Sequence, residues 1–436
     1  MKTSYYCIPV DVGSGVLLFN SLTRAFLLLA PARFAEIYAN GEFVQDVLTD
    51  SERNMLTKNG FWVSDDMDEP AIVVSARQQV RLNKRSYQLI VNPTLDCNLC
   101  CWYCYENHHA GSRLTPEMVE RIKKHIDLKY QEDKFESFNL SFFGGEPLLA
   151  TPEVVELIGF AQHYCDEKSL KLTVGFTTNG TVLSERLYDA LRDTPTTFQI
   201  TLDGHRDKHN AVRKFKANGN GTFDVITRNI INILNFLPKA SITLRINYDV
   251  QTLSEPDTLL QFVSNFKGKN LTVSLHRVWQ VSPDEIDREA LFDFMVQIKN
   301  MGIGVSLQGF PLGMYTCYAD KLNACVVNYN GDVFKCTARD FKSESRCGTL
   351  DASGMIVWNN SKLQAHCFSP LPERCQQCKL LPQCASFCSQ NTIDSAGEPQ
   401  GCALDQQSTI DEYVLMNYYL MQTKSEQEAR TSEATM

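Results

Sequence analysis

Cys97-Asn98-Leu99-Cys100-Cys101-Trp102-Tyr103-Cys104 sets Cys97, Cys101 and Cys104 at C-x3-C-x2-C spacing. The stretch follows Tyr87-Gln88-Leu89-Ile90-Val91, a short apolar run that reads as a buried strand. Three thiolates so close on one loop can hold three irons of a [4Fe–4S] cube, which normally takes four cysteines. The remaining iron is then open to chelate and reduce a small molecule. Two blander arrangements share this spacing: a three-cysteine zinc site lacking its histidine, and buried thiols that happen to be neighbours.

A second strand-like run, Asn139-Leu140-Ser141-Phe142-Phe143, leads into Gly144-Gly145-Glu146-Pro147. Together the two stretches resemble the radical S-adenosylmethionine (SAM) enzymes: a C-x3-C-x2-C loop after the first strand, an aromatic (Tyr103) before its last cysteine, and Gly-Gly-Glu-Pro after the second strand. The resemblance implies that Gly144 and Gly145 let backbone approach the methionine part of SAM and that Glu146 pairs with its amino group.

Length and charge narrow the class. A chain of 436 residues suggests about three domains on a prior of ~150 residues each. Net charge is −9, so no global basic footprint invites nucleic acid, and the local basic run at 206–216 reads as a solvated loop. Sixteen cysteines in so long a chain, without an apolar signal core at the start, fit metal-bound thiols in a reducing cytoplasm better than disulfides. No apolar run approaches the ~18 residues that cross a bilayer.

Residues 1–84 read as a separate small module. Gly15–Phe19 is strand-like, Asn20 or Ser21 is placed to cap a helix carrying Leu22, Phe26, Leu27 and Leu29, and a second helix near Asp50–Lys58 stops at Asn59-Gly60. Phe61-Trp62-Val63 returns as a strand before an acidic linker, Asp65 to Glu69. This order suggests a winged-helix-like module. In peptide-modifying members of the resembled family such a module often binds the leader of the substrate; a packing extension of the barrel explains it equally.

From Tyr87 the pattern becomes strand–helix alternation. Thr115-Pro116-Glu117 and Thr151-Pro152-Glu153 read as helix starts, and later strands fall at Leu172–Phe176, Phe198–Leu202, Ile242–Ile246 and Leu271–Leu275. Helices between them are expected near Ser184–Leu191, Phe223–Leu234, Pro256–Phe266 and Pro283–Met301. The fold class is α/β, a partial (β/α)6 TIM-like barrel over 85–305, with reactive groups at the C-terminal strand ends. Thr177-Thr178-Asn179 and Asp203-Gly204 fall at such ends. Taken singly, Asn179 and Asp203 are more often turn residues. The resemblance implies that Thr177, Thr178 and Asn179 reach a ribose. It also implies that Leu202-Asp203-Gly204 with His209 and Arg213 forms an element in which Arg213 holds the SAM carboxylate by a bidentate pair.

The last third, 306–422, is denser in cysteine, and 423–436 reads as a frayed polar tail. Cys375-x2-Cys378-x5-Cys384-x3-Cys388, Cys402 beyond it, and Cys317-x13-Gly331-x4-Cys336 before it resemble the SPASM extension of radical SAM enzymes. That resemblance implies two auxiliary [4Fe–4S] clusters. The outer one falls to Cys375, Cys378, Cys384 and Cys402, the inner one to Cys317, Cys336 and Cys388, with Cys325 a candidate fourth ligand. A zinc ribbon is the rival reading. Tyr329–Val333 reads as a hairpin turning at Gly331. Cys7, Cys100, Cys165, Cys347 and Cys367 stay unassigned, since free cysteine usually behaves as a small buried apolar residue.

The resemblance implies SAM cleavage to a 5′-deoxyadenosyl radical that takes hydrogen from a peptide or protein side chain. It also implies a leader-bearing substrate and a flavodoxin- or ferredoxin-like electron donor. A peptide maturase forming thioether, carbon–carbon or related crosslinks is the reading carried forward. Its alternatives are a sulfatase maturase making formylglycine and a non-catalytic zinc-binding protein. In sulfatase maturases the cysteine of the Gly-x4-Cys element is followed by aspartate; here Thr337 follows Cys336, and Asp340 lies further on.

Overall fold

In the computed structural model, which describes residues 1–278, 286–307, 316–398, 402, 409–418 and 420, all six strands expected from the apolar runs form, and each is followed by a helix. Ser86–Asn92, Ser137–Phe142, Lys171–Thr178, Thr196–Leu202, Ala240–Tyr248 and Leu271–Arg277 lie side by side in parallel. Gly304–Leu307 continues the sheet beyond Leu271–Arg277, and Ala324–Asn328 pairs with Ser86–Asn92 at the other side. Three short antiparallel strands, Asp332–Phe334, Gly348–Leu350 and Ile356–Trp358, bring it to eleven. The expected hairpin turns at Gly331, whose φ of +87° suits a residue without a β-carbon.

Cross-strand packing fixes the register. Phe142, Phe176 and Phe198 stand opposite one another on adjacent strands, their rings stacked at 5.3 and 5.0 Å. A slip of one residue would turn this row to the other face of the sheet. Helix Pro116–Asp133 starts as expected, with Thr115 accepting from the Met118 N–H ahead of a proline. Thr151 behaves differently: it lies inside helix Thr151–Lys168 and donates to the Leu148 carbonyl, because a short 3-10 turn over Pro147–Ala150 runs directly into the helix. The helix expected over Pro283–Met301 is Arg288–Asn300, and 283–285 lie outside the described residues.

Contacts divide the described chain into two compact units. The sheet and its helices, with 318–369, make one. The other holds residues 1–81, Thr316, Cys317 and the residues from 370 onward.

In this second unit the helix expected over Leu22–Leu29 is a strand. Cys7–Asp11, Val16–Asn20 and Ala25–Leu29 form an antiparallel meander. The cause is the turn between the last two strands. Asn20 Oδ1 accepts from the N–H groups of Leu22 and Thr23, and Arg24 takes a left-handed φ of +65°, which ends any helix there. Helix Asp50–Lys58 does form, closed by a capping box between Thr49 and Glu52. The expected acidic linker also differs. It is a turn that enters helix Glu69–Leu82, whose Glu69 is buried and accepts from Ser4 Oγ and the Tyr5 N–H, each at 2.7 Å.

One face of the meander packs on its own helices through Leu18, Ile37, Leu56 and Phe61. The other packs through Ile8, Val10, Leu17 and Phe19 onto Leu380, Tyr413 and Val414, so the first and last parts of the chain share a core. The expected tail, 423–436, lies outside the described residues. Among the described residues no helix is long and apolar enough to cross a membrane.

Candidate active site

Cys97, Cys101 and Cys104 lie on the loop after Ser86–Asn92, at the C-terminal edge of the sheet. Cys97 is buried, Cys101 half-buried and Cys104 exposed. Cys97 Sγ accepts from the Leu99 N–H at 3.5 Å and from Asn179 Nδ2 at 3.7 Å. Burial pushes the Cys97 thiol up to about 12 and raises Cys101 and Cys104 as well, while the Arg213 charge partly offsets the rise at Cys101. Thiols in such surroundings need a cationic partner to ionise, as the irons of a cluster provide. Among the described residues no three His, Cys, Asp or Glu side chains close on a metal-ion site. Three thiols on one loop are the donor set that a cube with one open iron would take.

The basic run read as a solvated loop is in fact the rim of this site. Helix Arg206–Val212 leads to Lys214–Lys216, which lie along the cysteine loop. The Cys100 N–H donates to the Lys214 carbonyl at 3.0 Å and the Lys216 N–H to the Asn98 carbonyl at 2.9 Å, with Leu99 bridging to Phe215.

The glycine pair braces the loop from the other side. The Gly145 and Glu146 N–H groups donate to the carbonyls of Thr94 and Asp96, at 3.3 and 2.8 Å. Glu146 itself is fully buried. It accepts from the Leu148 N–H at 3.0 Å, the Asn179 N–H at 2.7 Å and Thr178 Oγ1 at 2.8 Å. Burial raises its carboxyl to about 7 against the pull of these bonds. Thr178, Asn179 and Glu146 thus organise one another. Asn179 Nδ2 also donates to Asn98 Oδ1 at 2.8 Å, tying the third strand's end to the cysteine loop. Thr177 is half-buried and stands opposite Gln199.

A second buried network joins Tyr103, Asp203 and Arg213. Arg213 Nε and the Tyr103 hydroxyl both donate to Asp203 Oδ2 at 2.6 Å, and Arg213 Nη2 donates to Tyr103 Oη at 2.6 Å. Burial works to raise the Asp203 carboxyl, but the Arg213 charge and these donors hold it below the usual range. His209 Nδ1 accepts from the Asp203 N–H at 3.2 Å, and its Nε2 lies 3.0 Å from Thr222 Oγ1.

Three further residues belong here that the motifs do not name. Asn247 Nδ2 donates to Asp203 Oδ1 at 2.8 Å, Arg245 Nε donates to Asn247 at 2.9 Å, and Glu106 carries a buried Oε2 without a partner among the described residues. Burial pushes the Glu106 carboxyl up to about 8. The signal for Asn247 and Arg245 was their place at the end of the fifth strand, where a barrel sets its reactive groups.

Cys325 is buried. It sits on Ala324–Asn328 facing the helix layer, with Tyr87 Oη 3.3 Å from its Sγ and 2.6 Å from His125 Nε2. Its neighbour Val326 packs on the opposite face with Ile90, Leu95 and Phe334.

In the second unit Cys375, Cys378 and Cys384 share a loop, and Cys402 packs against the same apolar cluster as Cys375. Each of the first three thiols feels the charge of Cys402. Arg77 is buried and holds this loop by its carbonyls, donating to Cys384 at 2.6 Å, Ala385 at 2.9 Å and Leu381 at 3.3 Å. Cys317 is half-buried and Cys388 exposed in the same unit. Cys336 is half-buried in the sheet unit, where its Sγ accepts from the Ala338 N–H at 3.3 Å.

Comparison with known proteins agrees with this geometry. The model of the Radical SAM superfamily matches residues 91–263, which contain the cysteine loop, the glycine pair and the Asp203–Arg213 network. The chain is 24% identical over 377 residues to a cysteine-type anaerobic sulfatase-maturating enzyme of Clostridium perfringens, covering 77% of this chain and 94% of that one. Among solved structures, the sulfatase-maturating enzyme anSMEcpe with bound AdoMet matches at TM-score 0.56 and 18% identity over 80% of this chain and 95% of the other. Streptococcus suis SuiB bound to its precursor peptide SuiA matches at TM-score 0.51 and 16% identity over 90% and 97%. These structures share the fold. Residues 91–263 form a radical SAM domain, and a [4Fe–4S] cluster and SAM are the cofactors that such a domain implies.

Proposed function

We propose that the chain is a radical SAM maturase that modifies a side chain of a ribosomally made peptide. The carrying observation is the bracing of the cysteine loop by three other strand ends: by Gly145 and Glu146, by Asn179, and by Asp203 and Arg213 through Tyr103. Cys97, Cys101 and Cys104 hold the cluster in this reading. When bound, the cluster and SAM supply one-electron cleavage of the sulfonium to methionine and a 5′-deoxyadenosyl radical, which takes a hydrogen atom from the substrate. The chain's own part is to bind and orient. Arg213 already gives Nε and one Nη2 hydrogen to Asp203 and Tyr103, so a ligand carboxylate falls to Nη1 and the second Nη2 hydrogen. Glu146 acts by fixing the Thr178–Asn179 turn, its oxygens being engaged there.

Cys375, Cys378, Cys384 and Cys402 hold one auxiliary cluster in a SPASM-type arrangement, and Cys317 and Cys388 of the same unit are ligands of another. Residues 1–84 offer a meander with open edges at Cys7–Asp11 and Ala25–Leu29, to which a substrate leader adds as a strand. A flavodoxin- or ferredoxin-like donor supplies the electron, in the cytoplasm. SuiB, bound to its precursor peptide, and the peptide-bound form of anSMEcpe support a peptide substrate.

One observation favours formylglycine formation as a second reading. Asp340 folds back to the cysteine loop, where Asn107 Nδ2 donates to its Oδ2 at 3.2 Å, so a carboxylate stands near the site although Thr337 follows Cys336. Anaerobically reconstituted protein, SAM and reductant are incubated in parallel with peptides translated from every short open reading frame flanking the coding sequence and with a sulfatase-motif peptide. Mass loss in the first supports the proposal; multiple-turnover aldehyde in the second replaces it; SAM cleavage with neither modified removes both.

A further inference from the structure

Tyr6 is fully buried, yet among the described residues its hydroxyl has no hydrogen-bond partner. Leaving such a group unpaired costs about 1–3 kcal/mol, so an acceptor is missing from its surroundings. The backbone of Tyr6 is held on both sides. The Tyr6 N–H donates to Ser4 Oγ at 3.2 Å, the Tyr6 carbonyl accepts from the Ser21 N–H at 3.2 Å, and Tyr5 packs edge-on at 5.2 Å. Around the side chain lie Val73, Cys375, Leu381 and Phe387, with Cys402 packed against the same cluster. These are the surroundings of the four-cysteine loop, where a cluster held by those thiols would offer sulfur as an acceptor.

We propose that Tyr6 Oη donates a hydrogen bond to a sulfur of the iron–sulfur cluster held by Cys375, Cys378, Cys384 and Cys402. This rests on the reading above that those four residues hold a cluster. A phenol, with an ordinary value near 10, is an O–H donor at neutral pH. Hydrogen bonds to cluster sulfurs stabilise the reduced, more negative state and raise the reduction potential. Tyr6 thus adjusts, from the opposite end of the sequence, the potential at which that cluster accepts an electron.

The test uses the full chain with Cys97, Cys101 and Cys104 replaced by Ala, reconstituted anaerobically and titrated by EPR with and without Tyr6→Phe. The expected result is unchanged iron and sulfide, with one signal moved to a more negative midpoint. An unmoved midpoint at equal iron overturns the proposal. Should Tyr6→Phe lose iron, 3,5-difluorotyrosine at position 6, a stronger donor of nearly the same shape, decides. It must move the midpoint positive, and no movement overturns the proposal. Replacing Cys375, Cys378, Cys384 and Cys402 by Ala without loss of iron would sink the cluster assignment itself, whatever Tyr6 does.

Discussion

Gly145 lies so close to Asp96 that a β-carbon at position 145 would stand 2.3 Å from the Asp96 carbonyl oxygen and 2.7 Å from that of Leu95. At Gly144 a β-carbon would stand 2.2 Å from the Thr94 carbonyl, on a backbone with φ of +116°. The atoms are backbone and cannot swing aside. The glycine pair is therefore needed in this fold to seat the cysteine loop, whatever it also does for SAM. Gly145→Ala should displace the loop by a fraction of an ångström or more, and a shift near 1 Å costs roughly 100-fold in rate. Deoxyadenosine release measures this. Wild-type release would show that the joint is not needed.

The Asp203–Arg213 pair is buried, with side-chain exposures of 2% and 10%. Removing one partner of such a pair leaves the other charge desolvated, at about 3–5 kcal/mol. Asp203→Ala should therefore destabilise the sheet unit strongly, while Asp203→Ala with Arg213→Met should be less costly than Asp203→Ala alone. Urea unfolding of the two single variants and the double variant measures the coupling. Additive effects would mean that the pair is not the unit described.

Much of the site could be read in advance because it follows strand ends, and the strands announce themselves as short β-rich apolar runs. What escaped did so for physical reasons. The run Ala25–Leu29 suits either a strand or a helix face; only the Asn20–Arg24 turn decides between them. Helix Glu69–Leu82 buries Glu69, Val73 and Arg77, two charges and one apolar residue at helical spacing, so no hydrophobic stripe marks it. Cys325 lies on the face of its strand opposite Val326, toward Tyr87 and His125, which sequence spacing alone does not reveal.

His125 makes part of that opposite face sensitive to pH. It is buried on helix Pro116–Asp133, with Nδ1 2.9 Å from the Gly354 carbonyl and Nε2 2.6 Å from Tyr87 Oη. Burial lowers its value from 6.5 to about 4. The unfolded chain thus takes up a proton that the folded one refuses. The stabilisation is full above 6.5 and is lost as pH falls towards 4. Between pH 7 and 5 the loss is about 2 kcal/mol. Denaturant unfolding at those two values should show His125→Phe losing about that much less than the wild type on acidification. Equal losses would place the acid sensitivity elsewhere.

Arg77 separates two roles for the amino-terminal residues. If they only bind a leader peptide, removing them should abolish peptide affinity and leave iron untouched. The structure gives them a second task, since Arg77 holds the carbonyls of Leu381, Cys384 and Ala385 and is itself 4% exposed. Hydrogen bonds from a charged donor contribute about 1.5–3 kcal/mol each, so the loop is held by several. Arg77→Met keeps the length of the side chain and removes every donor. It should lose one cluster's iron while the Cys97 loop keeps its own, so SAM cleavage without substrate persists. Arg77→Lys, with a single ammonium for three carbonyls, should lose part of that iron. Truncation of the segment cannot distinguish the roles, because it removes both. Iron analysis, EPR and deoxyadenosine release on Arg77→Met do, and full iron in that variant would return the segment to leader binding alone.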